Sequence, residues 1–206
     1  SWESFLYLFQ SIFALEPLEL QQRIHPVFQN TANPPFVHIW FYAQQFRYLH
    51  APPALKQPRE LNLQWFGLSD IPDNFDIFSQ ITELNLSGNR FASFPPQILM
   101  LNSLERLELR SNLMDVLPIE LNTLSSLTEI SLRGNRFSTL PSVLCTMTQL
   151  RSIDLSSNRL RDIPVELKQL SNLRKLDLRR NQLSVEKILQ IRNILPNTNI
   201  IFNTTF

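Results

Sequence analysis

The chain has 206 residues, of which 43% are hydrophobic and 18% charged, and its formal net charge is +1. That balance excludes a disordered chain, gives enough length to bury a core, and argues against nucleic acid as a partner, which normally demands a strong basic excess. Three glycines stand against fourteen prolines and fifteen phenylalanines, so the turns are built mostly without glycine and the prolines recur for a structural reason.

Cys145 is the single cysteine, which rules out an intrachain disulfide and points to a reducing compartment, the cytoplasm. The opening Ser1-Trp2-Glu3-Ser4 has no basic region or cleavage site and does not read as a signal peptide. It also lacks an initiator methionine. The chain therefore reads as a piece of a longer protein, whose other parts can hold an export signal or a further domain. No apolar run reaches the roughly 18 residues of a spanning helix.

Residues 1–57 are rich in Trp, Phe and Tyr and poor in charge. Trp2, Phe5, Leu6, Phe9, Ile12 and Phe13 fall at helical spacing. Pro17 opens a second short helix with Leu18, Leu20 and Ile24. Asn33-Pro34-Pro35 starts a third, bearing Phe36, Ile39, Trp40, Ala43 and Phe46, and Ala51-Pro52-Pro53 ends it. This segment is expected to form a helical cap on the array that follows, with a separate docking module as the sharper alternative. His25, His38 and His50 all fall within it, without cysteine or paired carboxylates at metal-ligand spacing, so no metal site and no cofactor are expected.

From residue 58 the sequence repeats itself. Asn89, Asn112, Asn135, Asn158 and Asn181 stand 23 residues apart. Each follows an apolar pair in the same frame: Leu84-x-Leu86, Leu107-x-Leu109, Ile130-x-Leu132, Ile153-x-Leu155 and Leu176-x-Leu178. An apolar–proline pair keeps register downstream at Ile71-Pro72, Phe94-Pro95, Leu117-Pro118, Leu140-Pro141 and Ile163-Pro164. A first, degenerate unit carries Leu61-x-Leu63, with Phe66 where asparagine is expected. Six units at one period mark a solenoid.

The frame resembles the leucine-rich-repeat family, in its 23-residue class L-x-x-L-x-L-x-x-N-x-L-x-x-L-P, over about residues 58–206. The resemblance implies an α/β solenoid in which short parallel strands line a concave face. The leucines then face a shared core that no single repeat could bury, and the asparagines bond backbone groups of adjoining turns. The prolines lie on the outer return path, where no sheet bond needs their missing N–H.

After Leu183 the pattern changes. Val185, Ile188, Leu189, Ile191 (or Arg192) and Leu195 fit a helix stopped by Pro196-Asn197, and Asn199–Phe202 reads as a last strand. A helix–strand cap from about residue 184 thus closes the array.

In this fold the non-leucine strand residues lie on the concave sheet face, where a partner would sit. One column holds Glu60, Glu83, Arg106, Glu129, Ser152 and Lys175. The next holds Asn62, Asn85, Glu108, Ser131, Asp154 and Asp177, and a third Gln64, Ser87, Arg110, Arg133, Ser156 and Arg179. Just beyond lie Arg90, Leu113, Arg136, Arg159 and Gln182. The charges either pair laterally across neighbouring strands, which contributes about 0–1 kcal/mol each, or orient a partner of complementary pattern. Phe66 is expected under the N-terminal cap. Trp65, at a position otherwise held by Gly88, Ser111, Gly134, Ser157 and Arg180, is either a binding anchor or a contact to the third helix.

The expected partner-contact set is Trp65, Glu83, Arg106, Glu108, Arg110, Glu129, Arg133, Arg136, Asp154, Arg159, Asp177 and Arg179. Six strands about 4.8 Å apart give a face of about 400 Å², while a standard interface buries about 800 Å² per partner. Either the partner is small or weakly held, or the flanking loops and the helical segment join the interface, and the second is expected. The sequence carries no phosphate loop or nucleophile elbow, and Cys145, between Leu144 and Met147 on the return path, reads as packing.

These features point to a non-catalytic, monomeric module that binds a protein. The layout of helical segment plus short array is similar to bacterial effectors delivered into host cells, whose repeats are usually shorter than 23 residues. The alternative is the substrate-recognition arm of a larger enzyme such as an effector ubiquitin ligase. A receptor ectodomain would call for cap disulfides that one cysteine cannot make.

Overall fold

The computed structural model describes residues 59–71 and 75–203. The three helices expected within residues 1–57, the three histidines there and the cap expected over Phe66 lie outside the described residues.

Each Leu-x-Leu frame produces a three-residue strand. These are β1 (Glu60–Asn62), β2 (Glu83–Asn85), β3 (Arg106–Glu108), β4 (Glu129–Ser131), β5 (Ser152–Asp154) and β6 (Lys175–Asp177). The expected closing strand, β7 (Asn199–Ile201), completes one parallel sheet in chain order. The central residues Leu61, Leu84, Leu107, Ile130, Ile153, Leu176 and Ile200 pair in register and are all buried. Alternation along a strand turns their neighbours to the opposite face. Register advances by 23 residues at each step but the last, where Leu176 pairs with Ile200, because that connection runs through a ten-residue helix.

The asparagines form the expected ladder. Asn135 Nδ2 donates to the carbonyls of Leu109, one repeat back, and Leu132, in its own, while its Oδ1 accepts from the N–H of Met114. Asn89, Asn112, Asn158 and Asn181 repeat those bonds at distances between 2.8 and 3.2 Å. Every ladder amide thus satisfies three backbone groups at the mouth of two turns. Two residues past the first four, Phe91, Met114, Phe137 and Leu160 fill the core at 0% exposure.

The return path carries Phe75–Phe78, Pro96–Met100, Ile119–Thr123 and Val165–Gln169 as single 3₁₀ turns, and α1 (Ser142–Thr146) as an α-turn. Pro95, Pro118, Pro141 and Pro164 sit immediately before four of these, where a missing N–H leaves no bond unmade. Their carbonyls accept from the N–H three residues on, at Ile98, Leu121, Leu144 and Leu167. Only α1 has apolar residues on both sides of its central leucine, and it buries all three of Val143, Leu144 and Cys145.

The cap helix α2 (Val185–Ile194) starts at Ser184, whose Oγ accepts from Lys187 N–H. Its inward face is narrower than the apolar pattern implies. Ile188, Ile191 and Leu195 are buried, whereas Val185 and Leu189 are 62% and 53% exposed. Residues i, i+3 and i+7 already fill the contact with the last repeat, so the i, i+4 pair 185/189 turns outward. Lys187 Nζ lies 2.7 Å from Asp162 Oδ1, and the Arg192 guanidinium covers the Phe202 ring at 4.8 Å, which ties the helix to the preceding loop and to the end of β7. Among the described residues, no helix is long and apolar enough to cross a membrane.

Replacing Asn135 by alanine removes three bonds and leaves buried backbone groups of Met114, Leu109 and Leu132 unpaired. Urea denaturation should show a loss of about 1–3 kcal/mol, larger than for the exposed Asn122→Ala. Equal small losses at both positions would contradict the ladder's role.

Candidate functional site

The face of the sheet opposite the leucines is polar, as the strand alternation requires. Glu83, Arg106, Glu108, Arg110, Glu129, Arg133, Asp154 and Arg179 all lie on it, exposed or half-buried. Arg136 and Arg159 stand one residue past the ladder asparagines and are exposed.

Asp177 departs from its expected place on the surface. It is 2% exposed, with its carboxylate beneath Arg179, which donates from Nε and Nη2 at 2.6–3.1 Å. The column to which it belongs also has a structural task that spacing did not reveal. Asn62, Asn85, Asp154 and Asp177 each accept, through Oδ1, the N–H two residues ahead, at Gln64, Ser87, Ser156 and Arg179. These short side chains turn the backbone out of the strand. Asp154 and Asp177 are thereby partly committed before any partner arrives.

Ion pairs run mainly along strands rather than laterally. Arg110 Nε lies 2.7 Å from Glu108 Oε2 and donates to Ser131 Oγ, and Arg179 pairs with Asp177; both pairs are two residues apart and hence on one face. Of the lateral pairs expected, Arg106 with Glu129 at 3.4 Å joins β3 to β4. Arg133 makes no side-chain bond among the described residues.

Just after the strands the backbone enters the left-handed region in every repeat. Gly88 and Gly134 adopt it freely, while Trp65 (φ 64°), Ser111 (51°), Ser157 (56°) and Arg180 (54°) are held there at about 1–3 kcal/mol each. The amides of the first three are bonded into the sheet: Trp65 N–H donates to Ser87 O, Ser111 N–H to Arg133 O and Ser157 N–H to Arg179 O. Trp65 is 71% exposed, and its indole rests over Gly88 so closely that a Cβ there would collide with the ring. Gly88 is the seat of the indole.

A depression of about 440 Å³ opens beside it over β1–β4. Of the expected contact residues it gathers Trp65, Glu83, Arg106, Glu108, Arg110 and Arg133. Glu129, Arg136, Asp154, Arg159, Asp177 and Arg179 lie outside it. Ser111 and Ser87 complete the wall near the indole, and Glu60 lies at the far end. The result sets an exposed indole beside side chains of both signs, Glu60, Glu83 and Glu108 with Arg106, Arg110 and Arg133. Among the described residues, no three His, Cys, Asp or Glu side chains are grouped to hold a metal ion.

The sequence pattern of the leucine rich repeat family matches residues 79–137 and 125–183. A leucine-rich-repeat protein of Leptospira interrogans is similar in structure, with a TM-score of 0.65 and 31% identity over 69% of this chain. An internalin of Listeria monocytogenes is similar with a TM-score of 0.55 and 20% identity over 70% of this chain, which shows likeness of fold alone. This chain spans 36% of the Leptospira protein's chain and 42% of the internalin's. No curated protein sequence matches this chain.

Burial pushes the Asp177 carboxyl up, but the Arg179 hydrogen bonds, the backbone N–H and nearby positive charge together hold it below the usual carboxylate range. The stability this contributes is present above the unfolded value of about 3.9 and is lost as pH falls through the lower folded value. Asp177→Asn should therefore unfold at lower urea than wild type at pH 7, and the gap should close in acid as the wild-type carboxyl protonates. A gap that stays constant with pH would contradict the pairing.

Proposed function

The chain belongs to the leucine-rich-repeat family, and on that premise we propose that it is a non-catalytic module that binds a partner protein through the open face of its sheet and the loops beside it. The observation that carries the reading is Trp65. A large apolar ring, 71% exposed and held on a left-handed backbone over Gly88, stands at the rim of a charged depression. Exposed apolar area of that size is unfavourable unless something covers it. Aromatic anchors with arginine neighbours are the usual centre of protein interfaces. The loops are needed because the sheet face alone, about 400 Å², is half of what a standard interface takes from each partner.

The non-catalytic part of the reading draws support from the chemistry of the single cysteine. The Cys145 thiol is buried, and burial together with the Glu166 carboxylate pushes its pKa up to about 11, so it stays protonated at neutral pH. It is unsuited to the thioester chemistry of a ubiquitin ligase. The finer form of the reading is a monomeric bacterial protein that acts on a host protein in a reducing compartment. A structural relative from a bacterium, 31% identical, and a single free cysteine support it.

Immobilised chain should retain a protein from bacterial or eukaryotic lysate. Trp65→Ala and Arg133→Glu should each weaken the Kd for that protein about thirtyfold or more, while Glu120→Lys on the return path changes it less than about twofold. Retention lost with Glu120→Lys but indifferent to Trp65 and Arg133 would move the interface off this face and contradict the reading.

A further inference from the structure

The residues flanking the ladder asparagines, two before and one after, form the edge where the chain leaves the sheet. Between Ser87 and Gln182 those positions hold seven arginines, with no acidic residue and no lysine. Arg110 and Arg179 are engaged by Glu108 and Asp177. Arg90, Arg133, Arg136, Arg159 and Arg180 are exposed and make no side-chain hydrogen bond or ion pair among the described residues. Strands repeat about every 4.8 Å, so these guanidiniums form a row along one edge of the solenoid. The opposite edge has no such bias, because it mixes Glu60, Glu83 and Glu105 with Arg151, Arg174 and Lys175.

Resting on the protein-binding reading above, we propose that this arginine edge recognises a carboxylate-rich segment of the partner protein. A guanidinium offers a planar fork that fits a carboxylate through two parallel bonds, and an edge of arginine without lysine suits that geometry. Three further observations narrow the occupant. Backbone N–H groups here are already consumed: those of Arg90, Arg136 and Arg159 donate to Leu68, Met114 and Phe137 carbonyls, so no backbone cradle for phosphate exists. Two strand positions away lie Glu108 and Asp154, which repel any anion broad enough to cover the face. A narrow line of negative charge fits, whereas a duplex does not. Finally, Arg180 is held left-handed (φ 54°) at the end of the row, where the four preceding repeats place glycine or serine, and this presents one more guanidinium at a strained position.

The test uses deca-glutamate and deca-thymidylate peptide and oligonucleotide probes, labelled with the same dye, against the full chain at low salt. Three proteins are compared: wild type, Arg90→Glu/Arg136→Glu/Arg159→Glu, and a control that places Arg151→Glu/Arg174→Glu on the other edge. All substituted residues are exposed, and matched thermal midpoints establish that folding is intact. Wild type should bind deca-glutamate at least about tenfold more tightly than the triple variant, with less than about a threefold change in the control. Similar losses in both variants would reduce the effect to net charge and overturn the proposal. Tighter binding of deca-thymidylate than of deca-glutamate on the same edge would assign it to nucleic acid and overturn it as well. The two readings fail separately. A partner lost with Trp65→Ala yet kept by the triple variant sinks the arginine edge alone. Deca-glutamate binding that follows the edge, with no protein partner for the face, sustains the arginine edge and sinks the function.

Discussion

Everything on the open face depends on the asparagine ladder. Each side-chain amide answers three backbone groups that the turn out of the strand would otherwise bury unpaired, two of them carbonyls in adjacent repeats. Because the same bonds recur five times, every turn leaves its strand in the same way and adjoining strands stay in register. The leucines then stack into one core, and the residues between them repeat in columns. A solenoid of this kind has only nearest-neighbour contacts, so its rigidity comes from the sum of such local locks.

That regularity separates scaffold from message. Leucine, asparagine and proline positions are fixed by packing and by backbone bonding, which leaves the strand-facing residues and those beside each asparagine free to vary. It is at those free positions that this chain departs from monotony. Trp65 stands where four of the other repeats place glycine or serine, arginine gathers on one edge, and Leu113 interrupts the arginines that follow the asparagines. Gly88 belongs to the scaffold by conformation and to the message by contact, since its bare Cα gives the indole room to lie flat.

Much of this was legible in the sequence because a 23-residue period fixes which side chains point inward. The strands, the ladder and the proline positions follow from that, and the helix–strand closure from the break in the period after Leu183. What period cannot give is the competition between neighbours on one face. Asp177 was expected at the surface, yet Arg179, two residues on, folds over it, and its Oδ1 turns to a backbone N–H. The acid–base pairs form chiefly along strands because i and i+2 share a face and a long arginine reaches back easily. Val185 and Leu189 fit the helical apolar pattern but exceed the width of the surface that α2 covers. The seat of Trp65 on Gly88 joins two residues 23 apart through a ring orientation that no spacing rule contains.

The most direct measurement of the ladder is native-state hydrogen exchange at the amides its oxygens accept. The N–H groups of Phe91, Met114 and Phe137 should exchange within about tenfold of the sheet amides Leu86, Leu109 and Leu132. They should also be about a hundredfold slower than the turn amides of Ser125 and Thr148. Exchange of the ladder amides at the turn rate would show that the asparagines follow the repeat rather than hold it, and would contradict this account.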